Sequence, residues 1–170
     1  MPAEVAVFAL GNRSRGDDAI GPLLLERLGT WLADGAQAGA FELIDDFQLQ
    51  IEHALDLRGK RLALFIDAGW ETPAPYRFYP IIPAATAAAG GSHALPPQGV
   101  LEVYRQFEGV PPPPSFVLCV RGERFELGEG LSRLAEARSE AAWLLLTRLC
   151  REPDAATWRA MADIPGAGAA

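Results

Sequence analysis

Residues 5–21 read VAVFALGNRSRGDDAIG. The first six are apolar without interruption, the pattern of a strand buried on both faces rather than on one. Gly11 ends the run and a polar turn follows. From Ala19 to Leu32, Ile20, Leu23, Leu24, Leu28 and Trp31 then recur at three- and four-residue intervals. That spacing is a helix with one buried face, and Pro22 fits its first turn, where a missing N–H costs nothing. Strand, tight turn and helix together form the opening unit of an α/β sheet, and they fix how the rest of the chain is read.

Outward from this unit the alternation continues. FELID (Phe41–Asp45) is a second strand, Leu49–Leu57 a short amphipathic helix and LALFID (Leu62–Asp67) a third strand. The extended run Tyr76–Ile82 follows Asp67 too closely for a crossover helix, so it is expected to lie antiparallel. Pro96-Pro97 opens a helix to about Phe107, with Val100, Leu101, Tyr104 and Phe107 on one face. Pro111–Pro114 is a stiff connector to a fifth strand, Ser115–Val120, and Leu131–Leu149 is the last long helix. Beyond Pro153 a short turn anchored by Trp158 and Met161 is expected, and the PGAGAA end is expected to be disordered. The fold class is α/β: a mixed, mostly parallel, twisted sheet of about five strands sandwiched between helices. Residues 1–170 form one domain on this reading, with a partly disordered tail from about 153.

Composition narrows the function. A net charge of −7, with Lys60 the single lysine and no basic run, argues against nucleic acid as a partner. No stretch approaches the ~20 apolar residues of a membrane span, and no basic segment precedes an apolar one at the N-terminus. A cytoplasmic location without membrane association is the expectation. Cys119 and Cys150, each in an apolar setting, read as core thiols rather than a disulfide framework.

Ligands of open α/β sheets bind beyond the carboxyl ends of the strands. Here those ends carry Asp17-Asp18, Asp45-Asp46 and Asp67, a concentration of like charge that a cation or a basic group must offset. Each residue also has a plainer reading. Asp17 and Asp18 suit the N-cap of the helix starting at Ala19, Asp67 suits a turn, and Asp45 and Asp46 suit strand ends. Gln48 suits a solvent-facing position, and His93 lies in a Gly-Gly-Ser-His loop. His53, within LQIEHALDL, reads as solvated or partner-facing. Two carboxylates and one imidazole from this set would leave open coordination positions, as a reactive or recognition site requires. The sequence has no HExxH, no G-x-S-x-G and no P-loop, and G-N-R-S-R-G lacks the middle glycine of a dinucleotide fingerprint.

From Val5 to about Leu149 the chain resembles the NiFe-hydrogenase maturation endopeptidases. The resemblance rests on G-N-x-x-x-x-D-D/E-x-x-G (Gly11, Asn12, Asp17, Asp18, Gly21), a strand-end Asp67-Ala68, Ser92-His93 before a helix, and the segment from Gly122 to Ser132. It implies a metal site formed by Asp18, Asp67 and His93, which are also the implied catalytic residues. Nickel is then presented by the substrate, although another divalent metal fits the same ligands. The implied partner is the precursor of the hydrogenase large subunit, whose short C-terminal extension is cut away once nickel is in place; a monomer is expected.

Two departures from the family pattern bear on this. Many members have Glu where this chain has Asp18, which shortens the ligand arm by ~1.5 Å. Many also carry Asp-Gly-Gly-Thr after the second strand, where this chain has Asp45-Asp46-Phe47-Gln48-Leu49. That segment is closer to the subgroup serving cytoplasmic, nucleotide-linked hydrogenases, and it makes Asp45 and Gln48 candidate substrate contacts. The implied chemistry is metal-assisted amide hydrolysis, with Asp17 or Asp45 as candidates to orient a water and Asp17 also as helix cap. Arg13 and Arg15 are candidates to touch the substrate's C-terminal region. Two other classes stay open at this point. One is an assembly chaperone that holds the large subunit without cutting it, and the other is a metal-dependent hydrolase of a small molecule.

Overall fold

A computed structural model of the chain describes residues 2–85 and 94–162. The expected Ser92-His93 loop and the PGAGAA end lie outside the described residues. β1 (Val5–Leu10), β2 (Phe41–Asp46), β3 (Leu62–Gly69), β4 (Tyr76–Ile81) and β5 (Ser115–Arg121) form one sheet in the order β2-β1-β3-β5-β4. β4 alone is antiparallel, paired only with β5. Pro80 is tolerated there because an edge strand has one side free of ladder bonds.

α1 (Ile20–Ala33) follows a short 3-10 turn at Gly16–Ala19. The segment expected as an amphipathic helix at 49–57 is a 3-10 helix at Ile51–Leu57. α2 (Pro97–Glu108), α3 (Arg133–Arg151) and α4 (Ala155–Met161) complete the chain. The connection from β1 moves one way to β2, and the next moves the opposite way to β3. Right-handed crossovers therefore place α1 and the 3-10 helix on opposite faces. α2 packs with the 3-10 helix, and α3 packs with α1.

Alternation along β1 separates two cores. Val5, Val7 and Ala9 face α1 and α3, whereas Ala6, Phe8 and Leu10 face the 3-10 helix and α2. With both faces covered, β1 has no polar side to solvate, which is why its sequence is uniformly apolar. Trp158 closes the first core beside Phe78 and Phe116, its ring centroid 5.4 Å from that of Phe116. The cysteines are free: Cys150 is buried and its thiol is pushed up to about 12, and Cys119 is partly buried.

The start of α1 sits hard against the strand ends. A Cβ on Gly21 would lie 2.7 Å from the Leu10 carbonyl oxygen and 3.1 Å from that of Ile66. Gly21→Ala is expected to cost about 1–3 kcal/mol, because backbone on both sides leaves the methyl no room. Urea denaturation at constant m-value measures this directly.

Candidate active site

β1 leaves the sheet at Leu10, but β3 runs on past Ile66 through Asp67, Ala68 and Gly69 and pairs there with β5 alone. A crevice opens between β1 and β3, the point at which successive crossovers reverse direction. Phe65, two residues before Asp67, packs in the second core, so strand alternation turns Asp67 toward the α2 face.

The turn after β1 brings Asp18 to the same crevice. Gly11 has φ 141°, and a Cβ there would fall 2.0 Å from the Asp18 carbonyl oxygen, so only glycine fits. Asn12 then organises the turn: its Oδ1 accepts from Ser14 N (2.8 Å), and its backbone N donates to Asp18 Oδ2 (2.7 Å). On β3, Ala68 N donates to Asp67 Oδ1 at 2.8 Å. Among the described residues, no hydrogen bond occupies Oδ1 of Asp18 or Oδ2 of Asp67.

The two carboxylates line one open cleft of about 450 Å³. Phe47, Trp70, Leu95, Pro96 and Phe125 build apolar walls, with Phe47 and Trp70 70% and 67% exposed. No lysine or arginine is among the described lining residues. Burial pushes the Asp67 carboxyl up to about 7; its bond from Ala68 opposes this and the charge of Asp18 adds to it. An acidic pair with no lysine or arginine among the described lining residues, each member keeping one oxygen in hand, suits a cation as third party. Among the described residues no group of three His, Cys, Asp or Glu side chains comes together. His93, the expected third ligand, lies outside them.

The remaining candidates fall elsewhere. Asp17 does not cap α1, whose N-cap is Ala19. It is fully buried and accepts from Glu123 N (2.7 Å), Arg124 N (3.0 Å), Ser132 N (2.7 Å) and Ser132 Oγ (2.8 Å). Burial opposes its ionisation, but these donors outweigh burial and hold the carboxyl below its usual range. Fully buried and not among the residues that line the cleft, Asp17 is not placed to orient a water there. Asp45 sits at the end of β2 with Oδ2 3.3 Å from Arg13 Nη2, and it does not line the cleft. Arg13 also pairs with Glu26 at 2.5 Å, so local ion pairs account for a residue that the sequence leaves unexplained. Gln48 does line the cleft, between Phe47 and Leu49.

His53 is buried, not solvated. Its Nδ1 accepts from Gln50 N (2.9 Å), which places the proton on Nε2, 3.3 Å from Asp46 Oδ2. Its ring meets Phe8 edge-on at 6.1 Å. Asp46 Oδ1 accepts from Phe47 N (2.7 Å), so this pair fixes the turn that carries Phe47, Gln48 and Leu49 into the cleft. Sequence reasoning also passed over Phe47, Trp70 and Phe125 as walls. The available signal was an aromatic within three residues of a strand-end aspartate, at Asp46-Phe47 and at Asp67-Ala68-Gly69-Trp70.

The sheet order, the reversal point and the crevice define an α/β fold with its site at the β1/β3 ends. It is the fold of the hydrogenase maturation endopeptidases. The hydrogenase maturating endopeptidase HybD from E. coli matches with TM-score 0.69 and 24% identity, over 90% of this chain and 94% of that one. The solution structure of an endopeptidase from Escherichia coli matches with TM-score 0.67 and 26% identity over the same shares. The NiFe-hydrogenase maturation protease HycI from Thermococcus kodakarensis KOD1 matches with TM-score 0.64 and 22% identity, over 88% of this chain and 94% of that one. No protein-family model matches the chain, and no curated protein does. Among the described residues, no helix is long and apolar enough to cross a membrane.

Proposed function

We propose that this protein is the endopeptidase that removes the C-terminal extension of a nickel-loaded NiFe-hydrogenase large-subunit precursor, acting in the cytoplasm. The observation that carries the reading is the meeting of Asp18 and Asp67 in one cleft with no lysine or arginine among its described lining residues, in a fold shared with endopeptidases of hydrogenase maturation. Asp18 and Asp67 are assigned to hold the metal, with His93 as third ligand. His93 is supported by its place in the sequence, two positions before Leu95, which lines the cleft. Nickel arrives as part of the substrate, and a bound divalent metal supplies Lewis acidity toward the scissile carbonyl.

The chain's own contribution is alignment. Asn12 N fixes one oxygen of Asp18 on the 3-10 turn after β1, and Ala68 N fixes one of Asp67 on β3, which leaves the other oxygen of each in hand. The apolar walls suit an extended peptide, since they bury its side chains and exclude water around the reacting bond. Gln48 is assigned a hydrogen bond to that peptide. Its place between Phe47 and Leu49 supports a substrate-contact role for the segment that departs from the Asp-Gly-Gly-Thr pattern, and with it the subgroup serving cytoplasmic, nucleotide-linked hydrogenases.

Single replacements Asp18→Ala, Asp67→Ala and His93→Ala test the reading on the nickel-loaded precursor, with precursor mass as the readout. Each is expected to slow trimming about a thousandfold or more while circular dichroism stays native. Normal trimming by all three variants would overturn the metal site, and tight binding by the wild type with no change in mass would favour a chaperone.

A further inference from the structure

Gly122–Ser132, GERFELGEGLS, joins β5 to α3 without helix or strand of its own. It nonetheless forms one wall of the cleft through Phe125. Its shape is set from a distance, by the fully buried carboxylate of Asp17, 106 positions before Glu123. Oδ2 receives Glu123 N, Arg124 N and the Ser132 hydroxyl, and Oδ1 receives Ser132 N. Backbone bonds run beside them: Asp17 N donates to Arg124 O (2.6 Å), Gly16 N to Glu129 O (3.0 Å), and Gly128 N to Ser14 O (2.7 Å). Gly122 completes the seat, since a Cβ there would lie 2.6 Å from Phe125 Cζ and 3.0 Å from Asp17 Cβ. The Phe125 ring therefore rests against Gly122 next to Asp17, facing the cleft that Asp18 and Asp67 line.

We infer that Asp17 is a positioning residue for substrate: through the 122–125 turn it holds Phe125 as the wall against which the peptide lies. The inference rests on the endopeptidase reading above. An ionised carboxylate is the one side chain of this size that accepts at every site, so it satisfies four converging donors at once. Asparagine would set an NH2 group against N–H donors and release the turn. The ring supplies an apolar face that fits an apolar side chain of an extended peptide and has no part in the hydrolysis itself.

The experiment is a double-mutant cycle on the nickel-loaded precursor, with Asp17→Asn, Phe125→Ala and the pair, and Gly122→Ala beside them. Phe125→Ala and Gly122→Ala are each expected to raise KM about tenfold, with kcat within about threefold of wild type. Asp17→Asn is expected to raise KM similarly, and to add less than about threefold in the Phe125→Ala background, because both act on the same contact. Independent effects, about a hundredfold in the double variant, would overturn the inference. So would an Asp17→Asn protein with a lowered melting temperature and an unchanged KM. Should Asp17→Asn fail to fold, Gly122→Ala carries the test, since the nearest atom its methyl would meet is Cζ of the Phe125 ring; an unchanged KM there overturns the idea. A wild-type protein that binds the precursor without cutting it defeats the endopeptidase reading alone, and the same cycle is then read on the dissociation constant. Cutting by wild type with an additive cycle defeats this inference alone.

Discussion

Asp67→Asn is expected to stabilise the metal-free protein at pH 8 by about 2–4 kcal/mol and to abolish trimming of the precursor. Burial is the chief reason that the Asp67 carboxyl sits at about 7 in the folded chain, against 3.8 for an unperturbed aspartate. Between these two values the folded state holds a proton that the unfolded chain has lost. Folding stability therefore falls as pH rises from about 4 to about 7, and the penalty is complete above 7. Asparagine removes the penalty because it never ionises, and its Oδ1 keeps the bond from Ala68 N. The same substitution removes the proposed anionic ligand, so trimming is expected to be lost as the protein gains stability, the trade expected of a functional group that costs stability. Thermal melts at pH 5 and pH 8 check it: the gain over wild type should reach about 5–10 °C at pH 8 and be roughly a third of that at pH 5. A difference that does not change with pH would refute the burial argument. Binding of a cation in the cleft must also displace the Asp67 proton, so affinity for the nickel-loaded precursor is expected to weaken below pH 7.

Trp158→Ala is expected to lower stability by about 3–5 kcal/mol and leave trimming unchanged at temperatures where the variant stays folded. Trp158 is fully buried, lies edge-on to both Phe78 and Phe116, and donates Nε1 to Leu149 O at 3.0 Å. Truncation removes the ring from the centre of that cluster, and the Leu149 carbonyl loses its indole donor. Phe116 lies near the start of β5, at the end of the parallel strands away from the cleft, so the damage stays remote from Asp67. Urea denaturation followed by an assay at 20 °C separates the two effects. A variant that is stable but inactive would contradict a purely structural role for Trp158.

The elements were legible in the sequence because their signals are local. The apolar run Val5–Leu10, the three/four spacing after Ala19 and the short link between Asp67 and Tyr76 dictated the strand types and the antiparallel edge. That Asp18 and Asp67 line one cleft agrees with the rule that ligands bind beyond the carboxyl ends of the strands, and the family resemblance singled out Asp18 from its neighbour. What escaped depends on partners far away in sequence. Asp17 looks like a helix cap until Ser132, 115 positions on, is folded against it. His53 falls on a polar-looking position of a short helix pattern, yet Asp46 and Phe8 enclose it from two other strands. Seven residues, Ile51–Leu57, are too few for periodicity to separate a 3-10 helix from an α-helix. Asp45 is claimed by Arg13, 32 positions earlier in the turn after β1, a pairing that neither residue's neighbours announce.

On the proposed function, the Asp18–Asp67 cleft reads nickel in the substrate before the peptide bond is cut. Intact-mass spectrometry of the large-subunit precursor, incubated with the wild-type protein in nickel-loaded and nickel-free forms, tests it most directly. Loss of the C-terminal extension from the nickel-loaded form alone is the predicted result. Equal trimming of both forms, or an unchanged mass in both, would contradict it.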